Sequence, residues 1–584
     1  MPDPFRTIAR ASLASILLIA TACGGSDSSG PTTPTKPTPP IGLQAVATGS
    51  ASIRVSFTST AGDNSYIVEH AEGAAAFAAA GTVTAPATAG VVTFTDANLK
   101  RETLYRYRVK AVRSGVESDY TSETATATLP FGAVSKDVAT DITASTTWYA
   151  DTAYTLKGFI HVTNGVTLTI QPGTIIKGDF GTLGSSLFVM RGAKINAVGT
   201  ADAPIVFTSS RGVGQRQPGD WGGLVIIGNA RASRDGEVEV EGTGTDGATV
   251  VGGKNYRVVY SGGNNDSDNS GELKYVRVEF AGFAPSLNNE LNSFTFAAVG
   301  SGTKLSYLES LSGLDDAFEF FGGTVDGTYF VSYEAGDDHY DMSEGYRGRL
   351  QYLIAYQSTI LVPRSGAGSI SVDPQGIEND GCNGTGCTAG FNQAPFTTPV
   401  VANYSLVGTG NLSTSGTSGG VGAMLRRGTG GYYVNGILAR WPRTAFSVRD
   451  AETYARAGNT ASPDLATSDL AVRNNLIVQS GSTFEAGTAR YSFDLAGNAL
   501  TVSVATVISD LFTLIPDAAG PGTSAASFDW TPRAGTAAVS GGLATFTGKL
   551  ATAAGSAATG TAYIGAAAPG GPKWWQGWTY YAKQ

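Results

Sequence analysis

The sequence predicts an all-β protein in which a small antiparallel sandwich is followed by a large right-handed parallel β-helix. Three observations predict this fold class. Apolar and polar side chains alternate in short runs over residues 41–130, as they do in half-buried strands. Over residues 137–584, short β-branched runs recur between Gly- and Asn-rich turns without helical periodicity, which is typical of solenoid coils. An acidic motif repeats there after 22 residues, which indicates that neighbouring coils stack.

Composition and charge exclude several classes of protein. The 584 residues include 77 glycines, and the net charge at pH 7 is −9. A nucleic-acid-binding protein needs a concentrated basic face, so no nucleic-acid partner is expected. The chain has only 3 cysteines, which rules out a disulfide-dense scaffold and a thiolate-rich zinc site.

The N-terminal segment predicts a processing signal and a tether. A short apolar run at 11–20 follows two arginines, and small residues stand immediately before Cys23. This pattern resembles the lipobox of bacterial lipoproteins. The resemblance implies a signal peptide at 1–22, lipidation of Cys23 and anchoring in a bacterial outer membrane, with the body at the cell surface. A plain secretory signal is the alternative. Residues 23–40, rich in Pro, Ser and Thr, are expected to form an extended tether because they have too little apolar surface to fold.

The predicted sandwich carries a family signature. The spacing of Leu99, Tyr105, Tyr107 and Val109 resembles that of fibronectin type III domains. The resemblance implies a fibronectin type III domain over residues 41–130. Such sandwiches act as spacers or as binding modules, and a spacer is expected here.

The acidic repeat is the strongest candidate site. Acid, acid, aromatic, acid and glycine recur at the same positions in two segments that begin at Asp315 and Asp337. Equivalent side chains of stacked coils lie about 4.8 Å apart, so these carboxylates need a cation, basic partners or solvent. Ca²⁺ prefers oxygen ligands. The predicted calcium ligands are Asp315, Asp316, Glu319, Asp337, Asp338, Asp341 and Glu344.

Two other interpretations of the repeat stay open. One is a solvated or hydrogen-bonded ladder of corner residues without an ion. The other is catalytic, with Asp316 and Asp338 as acid and base and with His339 and Arg347 or Arg349 binding an acidic sugar. A lyase would instead use Ca²⁺ to neutralise a uronate while Arg or Lys removes a proton. The strings Asn-Thr-Asp, Gly-His-Gly and Arg-Ile-Lys of polygalacturonases do not occur in the sequence.

Two further features of the sequence predict a disulfide and an aromatic segment that packs against the solenoid. Cys382 and Cys387 lie in a Gly- and Asn-rich loop and predict a small disulfide in an oxidising compartment. The aromatic segment 574–581 is expected to cap the open end of the solenoid, where unpaired strand edges would otherwise be exposed.

Four segments resemble a group of bacterial cell-surface lipoproteins that have a pectin-lyase-like β-helix. They are 166–173 (VTLTIQPG), 203–208 (APIVFT), 219–228 (GDWGGLVIIG) and 313–323 (GLDDAFEFFGG). The similarity implies the fold but not an activity, because this solenoid serves lyases, hydrolases, adhesins and inert stalks alike.

The sequence therefore leads to two functional hypotheses. The first is a lipid-anchored envelope protein with a non-enzymatic binding or structural role. Its partner would be a polysaccharide or an outer-membrane protein, and Ca²⁺ would stabilise it. The alternative is a polysaccharide lyase or glycoside hydrolase that acts on an acidic polysaccharide. The absent hydrolase strings and the 3 histidines favour the first hypothesis.

Overall fold

A computed structural model gives the fold of this chain. It describes residues 35–244, 250–251, 254–255, 257–286, 289–368, 371, 373–503, 507–516 and 525–581. The predicted signal peptide at 1–22, the predicted lipidation site Cys23 and most of the tether at 23–40 lie outside the described residues. No helix among the described residues has the length and apolar character needed to cross a membrane.

The first of two compact units is an antiparallel sandwich. One sheet has the order β1-β2-β5, and in the other β3 lies between β4 and β6. Inward side chains alternate with outward ones along β2, where Ile53, Val55 and Phe57 are buried. The strands are β1 (Ile41–Gly49), β2 (Ser52–Thr58), β3 (Ser65–Glu72), β4 (Ala78–Thr84), β5 (Val91–Ala97), β6 (Leu104–Arg113), β7 (Val116–Glu117) and β8 (Thr124–Ala127).

The second unit is a parallel β-helix. Within the described residues it contains a 17-stranded sheet and a 10-stranded sheet, whose successive strands pair in parallel from coil to coil. The exception is the last strand of the 10-stranded sheet, Arg490–Tyr491, which pairs antiparallel with Thr444–Arg449. The predicted fold class, an all-β chain with a sandwich followed by a right-handed parallel β-helix, is confirmed.

The 10-stranded sheet, which carries the candidate site, is built from short strands. In sheet order they are β12 (Phe159–Val162), β15 (Ser186–Val189), β18 (Gly223–Ile227), β24 (Phe294–Ala297), β26 (Phe318–Phe321), β28 (Asp341–Ser343), β30 (Ile377–Asp380), β32 (Val421–Arg426), β35 (Thr444–Arg449) and β38 (Arg490–Tyr491).

The 17-stranded sheet combines short strands with five strands of 8 or 9 residues in its middle coils. Its members are β9 (Val134–Val138), β10 (Thr146–Trp148), β11 (Thr152–Leu156), β13 (Thr167–Ile170), β14 (Ile175–Gly178), β16 (Lys194–Val198), β17 (Ile205–Ser209), β21 (Gly271–Glu279), β25 (Lys304–Leu311), β27 (Asp326–Tyr333), β29 (Arg349–Tyr356), β31 (Val400–Val407), β33 (Gly431–Val434), β34 (Ile437–Ala439), β36 (Leu470–Arg473), β37 (Leu476–Val478) and β39 (Thr501–Ser503).

The remaining elements are short. They are the hairpin strands β19 (Val250–Val251), β20 (Lys254–Asn255), β22 (Phe283–Ser286), β23 (Asn289–Leu291), β40 (Phe512–Leu514) and β41 (Asp529–Pro532), with the helices α1 (Ala451–Arg456), α2 (Ile508–Leu511) and α3 (Gly548–Ala554).

The interior of the β-helix is filled by stacked aromatic and aliphatic side chains. The ring of Phe318 lies 5.0 Å from that of Phe294 in one neighbouring coil and 5.4 Å from that of Tyr340 in the other. Because side chains alternate along a strand, the residues between these inward positions point to the outer face of the sheet. This alternation places Glu319 and Asp341 on the face opposite the core.

The C-terminal aromatic segment packs along the flank of the solenoid. Trp575 and Trp578 are fully buried in a cluster with Leu311, Tyr333 and Tyr356, which come from successive middle coils. This differs from the predicted cap on the open end. The flank offers a continuous apolar surface to these rings, and packing against it removes their apolar area from water.

Candidate functional site

A hydrogen-bonded ladder runs along the turn that precedes the strands of the 10-stranded sheet. The backbone N–H of Asp316 donates to Oδ1 of Asn292 at 3.1 Å, and the N–H of Asp338 donates to Oδ1 of Asp316 at 2.7 Å. The N–H of Gln375 then donates to Oδ1 of Asp338 at 3.1 Å. Each of these side chains thus accepts a hydrogen bond from a backbone N–H of the next coil. One oxygen of each aspartate is committed to holding the turns together.

A second row of carboxylates lies on the outer face of the same sheet. Glu319 is the register partner of Asp341, and Asp341 is the register partner of Glu378. Together with Asp380 and Glu241, these residues line a cavity of about 200 Å³. The cavity contains more carboxylates than basic groups, with 6 acidic side chains and 2 arginines among its lining residues.

Three arginines neutralise part of this charge. Nε of Arg426 donates to Asp380 at 2.8 Å, and its guanidinium also contacts Glu378. Arg427 donates to Asp380 as well. Nε of Arg234 lies 2.5 Å from Oε1 of Glu344.

Most of the predicted calcium ligands converge. Single oxygen atoms lie within 4.8 Å of one another in three groups, which are Asp315, Asp316 and Asp337; Asp316, Glu319 and Asp341; and Asp338, Asp341 and Glu378. Oε1 of Glu319 and Oδ1 of Asp341 are buried and have no hydrogen-bond partner among the described residues. An oxygen-only donor set with two such atoms fits a hard divalent cation such as Ca²⁺. Glu344 is in none of these groups, because Arg234 and the Tyr260 hydroxyl bind its carboxylate.

Burial raises the pKa values of the carboxyl groups in this cluster. The pKa of Asp316 is raised to about 6 and that of Asp380 to about 7. Burial, followed by repulsion from Glu290 and Asp316, raises the pKa of Glu241 to about 8. The pKa values of Glu319 and Asp341 are also raised well above their usual range, by burial and by neighbouring carboxylates. In the absence of a cation, the cluster therefore retains protons near neutral pH.

The predicted sugar-binding residues lie elsewhere. His339 is fully buried with Nδ1 2.6 Å from the Ser332 hydroxyl oxygen, and burial lowers its pKa to about 3. Arg347 pairs with Asp266 at 3.2 Å, and Arg349 pairs with Asp326 at 3.0 Å. None of the three predicted residues lines the carboxylate cavity.

Glu378 and Asp380 are not among the site residues predicted from the sequence, although both line the cavity. The coil that leads to them is longer than the one before it. Gln375 lies 37 residues beyond Asp338, whereas Asp338 lies 22 residues beyond Asp316. A search for a third acidic strand with variable coil length would have found the string Ile377-Glu378-Asn379-Asp380.

The loop beside the cavity is cross-linked. Cys382 and Cys387 form a disulfide with a Cα–Cα distance of 5.6 Å. Asn383, inside this loop, lines the cavity. The disulfide restricts a loop that borders the carboxylates.

A model of the pectate-lyase-like β-helix domain family matches residues 140–531. The chain belongs to this family. No curated protein matches the chain. The similar solved structures include a Yersinia enterocolitica family 28 exopolygalacturonase, which is 13% identical with a TM-score of 0.18 over 80% of this chain and 84% of that one.

Two more solved structures are also similar to this chain. Pectate lyase PelI from Erwinia chrysanthemi is 9% identical, with a TM-score of 0.12 over 62% of this chain and 84% of that one. The chicken CNTN1 FN1–FN3 domains are 20% identical, with a TM-score of 0.14 over 16% of this chain. This chain spans 31% of the length of the CNTN1 structure.

Proposed function

We propose that the β-helix is a glycoside hydrolase that cleaves a polysaccharide at the carboxylate cavity. One observation carries the proposal: Asp341 and Glu378 are register partners that line the same cavity, and Arg426 donates to Glu378 whereas Oδ1 of Asp341 has no hydrogen-bond partner among the described residues. Burial and neighbouring carboxylates raise the pKa of Asp341 well above its usual range, against the lowering effect of Arg426, which favours the protonated carboxyl. The guanidinium of Arg426 contacts Glu378, which favours an ionised carboxylate there.

This difference assigns the two roles. Asp341 donates its proton to the glycosidic oxygen, while Glu378 attacks the anomeric carbon and the bond to the leaving sugar breaks. Asp341 then takes a proton from water, which displaces Glu378. Retaining hydrolases have carboxyls about 5 to 5.5 Å apart, and the ligand atoms of Asp341 and Glu378 lie within 4.8 Å of each other. Retention of the anomeric configuration is expected.

The charge of the cavity favours an uncharged substrate. The 6 acidic and 2 arginine side chains that line it would repel a uronate unless a cation stood between them. A neutral polysaccharide is therefore the expected substrate of the cation-free protein. Bound Ca²⁺ would compensate this charge, but an ion bound by Asp341 would also remove the proton that hydrolysis requires.

The test measures cleavage of neutral and uronate-containing polysaccharides by release of reducing ends. Absorbance of unsaturated uronates reports lyase products, and the anomeric configuration of new products is followed by NMR. Glu378→Gln and Asp341→Asn should each reduce the rate about 100-fold or more. Asp469→Asn, at a half-exposed carboxylate paired with Lys549, is the matched control. Cleavage of none of the polysaccharides, or full activity in both cavity variants, would contradict the proposal.

A second candidate function is a calcium-stabilised binding protein without catalysis. The buried oxygens of Glu319 and Asp341 that have no hydrogen-bond partner among the described residues favour it. Ca²⁺ bound by Asp316, Glu319 and Asp341 would neutralise these groups and keep Asp341 from carrying a proton. The two candidates differ in their response to Ca²⁺, because a hydrolase that needs protonated Asp341 is inhibited by an ion at this position.

Either function is proposed to operate in the bacterial envelope. Lipidated Cys23 would anchor the chain in the outer membrane. The tether at 23–40 and a fibronectin type III spacer at 41–130 would hold the β-helix away from the lipid.

A further inference from the structure

In seven successive coils of the 17-stranded sheet, the residue at one equivalent position has a positive φ and bends the strand there. We call this position the left-handed bend. The register continues on both sides of this residue from coil to coil. In chain order the bend residues are Tyr275 (φ 50°), Tyr307 (φ 55°), Tyr329 (φ 64°), Tyr352 (φ 66°), Asn403 (φ 53°), Asn435 (φ 58°) and Asn474 (φ 52°).

The four tyrosines are unexpected at this bend. A positive φ is enriched at Asn, whose side chain bonds locally, and is an outlier for a bulky residue. The last three coils show that Asn suits this bend. In the four earlier coils a tyrosine takes this less favourable backbone conformation, and the result is a row of aromatic rings. Strain of this kind is typical of functional sites.

The four rings form a continuous stack. Their centroids are separated by 4.4 Å between Tyr275 and Tyr307, 4.6 Å between Tyr307 and Tyr329, and 4.9 Å between Tyr329 and Tyr352. The angles between successive ring planes are 19°, 13° and 13°. All four tyrosines are only partly buried.

The stack forms one wall of a groove, and the C-terminal segment forms the other. The cavity between them has a volume of about 390 Å³ and is also lined by Pro572, Lys573, Trp574 and Gln576. This volume falls within the range of about 300 to 1,000 Å³ that is usual for small-molecule sites.

The lining determines the class of ligand. Lys573 is the charged side chain of the groove, and its ammonium lies 2.8 Å from a carboxylate oxygen of Asp529. No acidic side chain lines the groove among the described residues. Because the inner rings have a neighbour stacked on each face, the column presents ring edges and phenol hydroxyls to the groove, and Gln576 adds an amide. Apolar edges among uncharged hydrogen-bonding groups suit a neutral ligand that has apolar faces and many hydroxyls.

We infer that this tyrosine groove binds a neutral pyranose oligosaccharide along the ring edges and phenol hydroxyls of Tyr307 and Tyr329. The groove lies on the 17-stranded sheet, whereas the carboxylate cavity lies on the 10-stranded sheet. It is therefore a second carbohydrate site, whose binding does not depend on cleavage at Glu378.

A purely structural role for the tyrosines makes a different prediction. Trp574 packs against Tyr329 at 5.2 Å, and Trp578 packs edge-on against Tyr275 at 5.6 Å. If the stack served only to hold these indoles, replacement of one tyrosine by Asn would lower stability and leave carbohydrate affinity unchanged.

The experiment measures binding of cellohexaose, maltohexaose and mannohexaose to the purified chain by isothermal titration calorimetry. At least one should bind with a submillimolar dissociation constant. Tyr329→Asn, which installs the residue that the chain itself uses at this bend in later coils, should weaken binding about tenfold without lowering Tm. Tyr352→Asn, at the end of the stack beside Asn403, is a second variant should the first not fold. Tyr149→Asn, at an exposed tyrosine outside the groove, should bind normally.

Two results would overturn the inference. They are the absence of submillimolar binding by all three hexasaccharides, and unchanged affinity in the tyrosine variants. Glu378→Gln separates this site from the carboxylate cavity, because it should abolish cleavage and leave binding at the groove intact. Binding that is lost in Glu378→Gln but kept in Tyr329→Asn would place the ligand in the cavity instead.

Discussion

Oδ1 of Asp316 accepts the backbone N–H of Asp338 at 2.7 Å across adjacent coils of the β-helix. The same position in the preceding coil is an amide, since Asn292 accepts the N–H of Asp316. Gln375 continues the ladder and accepts the N–H of Val421 at 3.2 Å. The turn thus requires an acceptor oxygen at each level, but it does not require a charge.

This ladder predicts opposite effects of two substitutions at Asp316. Asp316→Ala leaves the buried N–H of Asp338 without an acceptor and should lower the free energy of unfolding by about 1–3 kcal/mol. Asp316→Asn keeps the acceptor and removes one charge from a crowded cluster, so stability at neutral pH should be unchanged or higher. Urea denaturation of both variants measures the difference. Equal destabilisation by Ala and Asn would show that the carboxylate itself is required.

The stacking of the acidic repeat could be predicted from the sequence because its coil length is constant. The 22-residue shift brings Glu319 beside Asp341, as the register confirms. The same shift aligns His339 with Ala317, which is fully buried in the core. The repeat therefore implies an inward position for His339, which is fully buried and does not line the carboxylate cavity.

The remainder of the site depends on contacts that are distant in sequence. Glu378 joins the cluster only after a longer coil, and Arg426 reaches it from the next strand of the sheet. The flank position of Trp578 is likewise set by an apolar surface assembled from several coils. Sequence periodicity identifies the face of a strand, but it does not give the pairing of strands separated by insertions of unequal length.

Calcium is predicted to stabilise the protein through the outer carboxylates. In millimolar Ca²⁺ the Tm should exceed that in EDTA, because an ion that binds only the folded state adds about 2.7 kcal/mol when present at 100 times its Kd. Glu319→Gln, at the buried carboxylate whose Oε1 has no hydrogen-bond partner among the described residues, should abolish the difference. Coincident melting curves of the parent chain in Ca²⁺ and EDTA would rule out the ion under those conditions.

Lipidation is predicted at Cys23. In a bacterial host that processes lipoproteins, the parent chain should fractionate with membranes and its N-terminal peptide should carry the mass of attached acyl groups. Cys23→Ala should release the chain into the soluble fraction, since the anchor depends on burial of acyl CH₂ groups. Cys382→Ala, at a disulfide cysteine, is the control and should remain with the membrane. Soluble parent protein, or a Cys23→Ala chain that stays bound, would contradict the prediction.

Stability is predicted to fall as pH rises from about 6.5 to 8. In this window Asp380 and Glu241, whose folded-state pKa values are raised to about 7 and about 8, lose protons that the unfolded chain has already released near its ordinary values of about 4. The unfolded state therefore binds fewer protons than the folded state, and the free energy of unfolding decreases with pH. The lowered pKa of His339 has the opposite effect, but only between about 3 and 6.5, so it does not contribute in this window.

Tm measured between pH 6.5 and 8 in EDTA checks this slope. Glu241→Gln cannot release a proton and should flatten the decrease, whereas Asp469→Asn, at a half-exposed carboxylate that pairs with Lys549, should leave it unchanged. A Tm that stays constant or rises over this range in the parent chain would mean that the carboxylates around the cavity are already ionised at pH 6.5. Asp341 would then lack the proton that hydrolysis requires, so the same measurement also tests the proposed acid.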